Sequence, residues 1–358
     1  MTPLAPPLHS TPPALAWPDA LRRADFEAWL AAVGPRHGLQ LGTLAPASAD
    51  ASFRRYLRIE GRDGSLIVMD APPPQEDVKP FVHVAGLVQA AGLHAPRVLE
   101  ADVEHGFLLL TDLGRQLYLD ALRDASQAET DRLMRDALQA LVQWQCHVPA
   151  DTLPPFDEAL LARELALFPV WCVQREFGVH WTDKEQQTWE RVCRLLIDSA
   201  LAQAQVAVHA DWMARNLMLN AEGSDQPGIL DFQDAVCGPI TYDMASLLRD
   251  AFLSWPEEQE LDWAVRGWQQ ARAAGLPVDA DFGEFWRALE WMGLQRHLKV
   301  IGIFCRLKHR DGKARYAEDL PRFFAYATRV ATRYGPLKPL LRLLEPLSGK
   351  AVTAGYTF

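Results

Sequence analysis

The stretch Val206-Ala-Val-His209-Ala-Asp211-Trp-Met-Ala-Arg-Asn216-Leu-Met-Leu219, followed by Gly228-Ile-Leu-Asp231-Phe-Gln233, decides how this chain is read. A short apolar run enters a polar loop of pattern His-x-Asp-x4-Asn, and a second apolar run leaves it. Fifteen residues after Asn216, another apolar strand ends in Asp231. A loop merely capped by its own Asp and Asn side chains has a similar composition. It does not account for a second strand ending in Asp at this distance.

The spacing suits phosphoryl transfer. A phosphoryl donor such as ATP passes through a loose transition state whose charge a divalent metal neutralises. Magnesium takes oxygen ligands, typically a carboxylate or two completed by phosphate and water. Asp231 supplies a carboxylate and Asn216 an amide carbonyl. Asp211, five residues before Asn216, is expected to orient the attacking hydroxyl and accept its proton. His209 is expected to brace the loop by hydrogen bonding.

Around this core the composition sets limits. The chain has 358 residues, 46 acidic against 36 basic, a net charge of −10, and is 49% hydrophobic and 23% charged. That length predicts two domains or one bilobal unit. The acidic balance argues against a nucleic-acid partner, and no apolar run is long enough to span a membrane. Cys146, Cys172, Cys193, Cys237 and Cys305 form no CxxC pair, which predicts reduced thiols and neither disulfides nor zinc. The start of the chain lacks a charged and then apolar leader, so a cytoplasmic location is expected.

Residues 1–18 carry six prolines and read as a flexible lead-in. Apolar spacing predicts a helix over 19–33, ended by Gly34-Pro35. Alternation over 53–60 and 65–70 around a Gly-Arg-Asp-Gly turn predicts a hairpin. A helix over 76–91 and strands over 95–101 and 106–114 follow. Beyond residue 114 helical periodicity dominates, over 117–146, 182–204, 263–274, 282–304 and 320–334. Arg306, Lys308, His309 and Arg310 read as a basic loop between two helices, either solvated or aiding an acidic ligand.

Several further strings resemble one family. They are Ala49-Asp-Ala-Ser-Phe-Arg-Arg-Tyr56, Val68-Met-Asp-Ala-Pro-Pro-Pro74, Leu109-Leu-Thr-Asp-Leu-Gly114, Asp231-Phe-Gln-Asp-Ala235 and Gly238-Pro-Ile-Thr-Tyr-Asp-Met-Ala-Ser-Leu-Leu-Arg-Asp250. Together they resemble the aminoglycoside-phosphotransferase-like kinases, and within these the bacterial kinases of N-acetylmuramic acid and N-acetylglucosamine. The resemblance implies an α+β, bilobal, protein-kinase-like fold. It comprises a nucleotide-binding lobe over 19–112, with a small antiparallel sheet, and a mainly helical catalytic lobe over 113–358.

It also implies roles. ATP and Mg2+ are the cofactors. Ser48, Ala49, Ser52, Phe53 and Arg54 belong to a loop over the phosphates, and Leu110 and Asp112 to a hinge facing adenine. Asp234, Gln233, Glu164, Trp171 and Arg175 lie toward the sugar, with Trp171 stacking on the ring and Arg175 meeting a lactyl carboxylate. The stretch 164–175 reads equally as a helix kinked at Pro169. Asp243 either caps a helix or, with His209, braces the catalytic loop. The third strand lacks the lysine usual in kinases; Arg54, Arg55, Arg58 and Lys79 are the candidate replacements. Ala210 stands where relatives often carry arginine.

The expected activity is phosphorylation of the anomeric C1 hydroxyl of a small amino sugar, in peptidoglycan recycling, with the product passed to a uridylyltransferase. A kinase of aminoglycosides, choline or homoserine is the alternative, and a nucleotide-binding pseudokinase another.

Overall fold

The computed structural model describes residue 17 and residues 19–48, 53–220 and 226–354. All of the proline-rich lead-in except Trp17 lies outside the described residues, as do Ala49 and Ser52 of the expected phosphate loop. The chain divides into two compact units: residues 1–89 with 95–114, and residues 90–94 with 115–358.

The first unit opens with α1 (Ala20–His37), started by the Asp19 carboxylate, which accepts the Arg22 N–H at 2.7 Å. Gly34-Pro35 does not end this helix. Pro35 lies inside it, and Gly38 closes it at φ 63°. A proline inside a helix removes one backbone donor, but the buried face of Phe26, Leu30 and Val33 carries the helix through.

β1 (Gln40–Ser48), β2 (Arg55–Gly61) and β3 (Gly64–Asp70) follow, then α2 (Lys79–Ala90), β4 (Val98–Asp102) and β5 (Phe107–Thr111). They form an antiparallel sheet of order β1-β2-β3-β5-β4. The hairpin expected from alternation is β2–β3, paired from Arg55↔Asp70 to Gly61↔Gly64. β1 has no counterpart in the residue pattern, because Gly42 and Pro46 interrupt its alternation and its pairing shifts register in the same places. Phe26, Leu30, Val33, Leu57, Ile59, Val68, Phe107 and Leu109 are the core of this unit.

In the second unit the helix expected over 117–146 is two helices, α3 (Tyr118–Asp124) and α4 (Gln127–His147). Ser126 separates them by capping α4 through the Glu129 N–H. Then come α5 (Glu158–Leu165), a π-helical stretch over Phe168–Glu176 where the kink at Pro169 was expected, and α6 (Asp183–Leu201). Four short strands, β6 (Gln205–Val208), β7 (Leu217–Met218), β8 (Gly228–Ile229) and β9 (Val236–Pro239), precede α7 (Tyr242–Leu248). The rest is α8 (Glu257–Ala273), α9 (Phe282–Asp311), α10 (Leu320–Arg333) and α11 (Leu341–Ala354).

Helix α9 runs on to Asp311, so the basic run is its last turns and not a loop. Lys308 and His309 there pair with Glu176 at 2.7 Å each, and Arg310 with Asp311. Cations suit the negative end of a helix. The cysteines are all free, with Cys172 and Cys305 buried. Among the described residues no helix is long and apolar enough to cross a membrane.

Gly302 of α9 sets how closely α9 meets the segment between α5 and the π-helical turn. A Cβ at Gly302 would lie 2.6 Å from the backbone carbon of Leu167. Gly302→Ala gains helix propensity, but it drives a methyl into backbone, and such overpacking costs about 1–3 kcal/mol. The variant is expected to melt a few degrees below the wild type in calorimetry; a melting point at or above wild type would show that the segment yields freely.

Candidate active site

Two small ladders assemble the site. In the first, Val208 of β6 pairs with Val236 of β9, and β6 delivers the chain into His209. In the second, Leu217 of β7 pairs with Ile229 of β8, and Leu230 N–H donates to the Asn216 carbonyl at 2.9 Å. Because β7 and β8 run antiparallel, the residue before β7 and those after β8 emerge at the same end. Asn216 and Asp231 therefore meet, with Asn216 Nδ2 3.4 Å from Asp231 Oδ2. The same Nδ2 donates to the Asp211 carbonyl at 3.0 Å, drawing Asp211 into the group.

The loop's backbone is unusual and firmly held. Ala210 and Asp231 have φ of 77° and 61°, a region that side chains disfavour. Asp243, fully buried in the first turn of α7, accepts His209 N–H at 2.7 Å and Ala210 N–H at 3.1 Å. Burial pushes its carboxyl up to about 7, against the pull of these two N–H groups and of Arg296.

His209 is buried against Trp144 and Trp212. Its Nδ1 accepts Asp211 N–H at 3.2 Å and its Nε2 lies 3.0 Å from the Leu230 carbonyl. That network assigns the proton to Nε2. Burial pushes its pKa down to about 4, so the ring stays neutral and acts as a strut. Asp250, just past α7, holds the far side of the loop through Ala214 N–H at 2.8 Å. The residue pattern gave Asp250 no role, although it lies in the same string seven residues after Asp243.

The oxygen donors suit a hard divalent cation. Asn216 Nδ2 is committed to protein acceptors, which leaves Oδ1 and the Asp231 carboxylate as donors. Among the described residues no group of three or more His, Cys, Asp or Glu gathers to hold a metal. The set therefore fits an ion that takes few protein ligands and completes its shell with phosphate and water, as magnesium does.

Gln233 is buried and donates Nε2 to Asp231 Oδ1 at 2.8 Å and to exposed Asp234 Oδ2 at 3.3 Å, while its Oε1 has no hydrogen-bond partner among the described residues. Glu164 on α5 pairs with Lys299 of α9 and accepts Gln295 Nε2 at 2.9 Å. Trp171 is half-buried and Arg175 exposed on the π-helical turn. Among the described residues no hydrogen bond or ion pair joins either to the catalytic loop. Lys299 was absent from the residue-based expectation; its one signal is its helical spacing from Gln295 and Gly302.

In the first unit, Ser48 closes β1 opposite Tyr56. Phe53 is exposed, with its N–H 3.3 Å from Glu76 Oε1, while Arg54 pairs with Glu76 at 2.8 Å. Arg55 and Arg22 both hold Asp70. Arg58 clasps Asp112, which also takes Ser65 Oγ at 2.7 Å and Gly114 N–H at 3.0 Å. Burial opposes the Asp112 charge, yet these donors outweigh it and lower its pKa. The Asp112 side chain is thus an internal strut, and Leu110 is a buried rung of β5. The three candidate arginines are all held by carboxylates; Lys79 is exposed.

The model of the phosphotransferase enzyme family matches residues 43–290. The chain belongs to this family. An N-acetylmuramate/N-acetylglucosamine kinase of Pseudomonas putida is 53% identical over 311 residues, 87% of this chain and 90% of that protein. A protein of the same description from Neisseria meningitidis serogroup B is 45% identical over 340 residues, 94% of this chain and 99% of that one. Wild-type aminoglycoside 2'-phosphotransferase-IIIa, solved with GDP, shares the fold at a TM-score of 0.58 and 14% identity, covering 87% of this chain and 99% of that one. This phosphotransferase is thus a nucleotide-using enzyme with a protein-kinase-like fold.

His209 and Asp243 respond oppositely to pH. A His held at about 4 costs stability as pH falls from 6.5 to 4, because only the unfolded chain then takes up the proton. An Asp raised to about 7 costs stability as pH rises from about 4 to 7. The two offset each other in the wild type. Asp243→Asn leaves His209 alone, so its stability relative to wild type should fall on acidification from pH 6.5 to 4.5, by at most about 1.4 kcal/mol per pH unit. Urea unfolding of both proteins at several pH values reads this slope.

Proposed function

We propose that this phosphotransferase uses ATP and Mg2+ to phosphorylate the anomeric C1 hydroxyl of N-acetylmuramic acid and N-acetylglucosamine, giving the 1-phosphates. The observation that carries the reading is the convergence of Asp211, Asn216 and Asp231 at one end of two short ladders. It stands in a chain 53% identical to an N-acetylmuramate/N-acetylglucosamine kinase.

In the reaction the C1 oxygen attacks the γ-phosphorus and the bond from phosphorus to the ADP oxygen breaks. The hydroxyl proton passes to the Asp211 carboxylate. Asn216 Nδ2 fixes the Asp211 backbone, and Asp243 and Asp250 fix the loop on either side of it, so the base is held in place before substrate arrives. Asp231 and Asn216 Oδ1 would hold magnesium, which would supply neutralisation of phosphate charge. In the first unit, Ser48, Phe53 and Arg54, the last held by Glu76, are the described residues proposed to bind the phosphates. Glu164 and Asp234 are the carboxylates offered to sugar hydroxyls. The proposed setting is cytoplasmic recycling of peptidoglycan sugars, with a uridylyltransferase consuming the 1-phosphate.

Phosphorus NMR of the product tests the regiochemistry. A doublet coupled to the anomeric proton is expected, and a 6-phosphate would overturn the assignment. In an ADP-release assay the two amino sugars should be turned over; activity on kanamycin or choline with none on either sugar would replace this reading by another acceptor class. Asp211→Asn should lower kcat by about 10²–10⁴-fold with little change in nucleotide affinity, measured by steady-state kinetics beside calorimetric binding.

A further inference from the structure

An acceptor that carries its own negative charge must approach two carboxylates, Asp211 and Glu164. Like charges repel strongly where water is scarce, so an enzyme that accepts such a molecule needs a cation close by. Helix α9 presents two. Lys299 Nζ donates to Tyr242 Oη at 3.0 Å and pairs with Glu164. Arg296, three residues earlier on the helix, sets its guanidinium 5.0 Å from the centre of the same Tyr242 ring, and Lys299 Nζ lies 5.8 Å from it. Both cations therefore converge on the residue next to Asp243. Burial opposes the Lys299 charge, but Tyr242, Glu164 and Asp211 outweigh it, which also puts Asp211 within electrostatic reach of this cluster.

Arg296 is the informative member. It is 5% exposed, its Nε has no hydrogen-bond partner, and among the described residues no carboxylate lies within ion-pair distance of it. Asp243 and Asp250 are near enough to feel its charge, yet both are turned onto backbone N–H groups of the catalytic loop and of Phe252. The other deeply buried arginine of α7–α9, Arg249, is paired with both Glu260 and Glu290. Burying a guanidinium without an acceptor is costly, and in a chain of net charge −10 an acceptor was easy to provide. The cluster holds two cations against the single carboxylate of Glu164, and the side chains of Lys299 and Glu164 remain 19% and 12% exposed, so a ligand can reach them.

We propose that Lys299 and Arg296 form the receptor for a carboxylate carried by the acceptor sugar, leaving Glu164 for a sugar hydroxyl. The inference rests on the amino-sugar reading above: N-acetylmuramic acid is N-acetylglucosamine with a lactyl ether that ends in a carboxylate. It moves acid recognition from the exposed Arg175, and from Lys308 and His309 in the last turns of α9, to the face of α9 that carries Arg296 and Lys299.

The test uses the full-length enzyme and three acceptors: N-acetylmuramic acid, its methyl ester and N-acetylglucosamine. The wild type should use the acid with a kcat/KM at least tenfold above that of the ester, chiefly through KM. Lys299→Met and Arg296→Gln should each lower kcat/KM for the acid at least tenfold more than for N-acetylglucosamine, and Lys299→Arg should recover part of the loss. Equal use of acid and ester by the wild type overturns the receptor, as does an equal loss on acid and neutral sugar in the variants. Should Arg296→Gln not fold, the ester comparison and Lys299→Met decide alone. An enzyme inactive on both sugars overturns the amino-sugar reading itself, whereas one active on both but indifferent to the ester overturns the receptor only.

Discussion

The catalytic loop depends on one buried carboxylate. Asp243 takes two consecutive N–H groups, those of His209 and Ala210, and so stabilises a backbone that Ala210 would not adopt unaided at φ 77°. A non-glycine residue in that region costs of order 1–3 kcal/mol and persists only when its surroundings over-determine it. Here they do. Asp243 grips the loop's entry, Asp250 its middle through Ala214, and the neutral His209 ring ties Asp211 N–H to the Leu230 carbonyl. Asp211, Asn216 and Asp231 thus share one rigid frame, and the loop needs no arginine at position 210 to keep its shape.

That frame is only as fixed as α7, which spans seven residues, all of them buried. The residue after it, Arg249, is locked between Glu260 of α8 and Glu290 of α9, and Glu290 in turn takes Arg333 and Tyr334 at the end of α10. A buried ion network of this kind contributes little net stability over an apolar core, but removing one member strands another charge. Its value is in register: a slip of α8, α9 or α10 would break several charged pairs at once, so the helices seat α7 in one position. The acidic turns that flank the catalytic loop inherit that seating.

The legibility of the sequence follows from these facts. His209, Asp211, Asn216 and Asp231 were readable because the ladders that gather them are short, so the chemistry is compressed into 23 residues with fixed spacing. The β2–β3 hairpin was readable because its alternation is unbroken. β1 was not, since Gly42 and Pro46 interrupt its period where its ladder also slips. The end of α1 was misplaced because Gly34-Pro35 is a stop signal locally, and burial of Phe26, Leu30 and Val33 overrides it. The extent of α9 was underestimated because its last turns are charged, and their partner Glu176 lies more than a hundred residues away in sequence. Lys299 and Arg296 escaped for a related reason: one cation in a long helix carries no local signal, and its meaning comes from Glu164 and Tyr242 on other elements.

The acidic chain uses an anionic nucleotide, and four arginines of its first unit are each held by a carboxylate. In the first unit Arg22 and Arg55 are held by Asp70, Arg58 by Asp112 and Arg54 by Glu76. These cations are oriented, not surplus. An arginine already aligned by a carboxylate keeps donors in a fixed fork, and it loses less rotamer freedom when a phosphate arrives than a free side chain would. For the proposed phosphate contact the same logic favours Arg54, fixed by a half-buried Glu76, over Lys79, which is exposed and would have to be ordered at the moment of binding. Arg296 is the contrary case, oriented by packing on an aromatic ring and by no carboxylate within ion-pair distance among the described residues. In a protein of net charge −10 that exception is the ground for proposing an acceptor's carboxylate as its partner: the guanidinium is aligned by packing, and its Nε has no hydrogen-bond partner among the described residues.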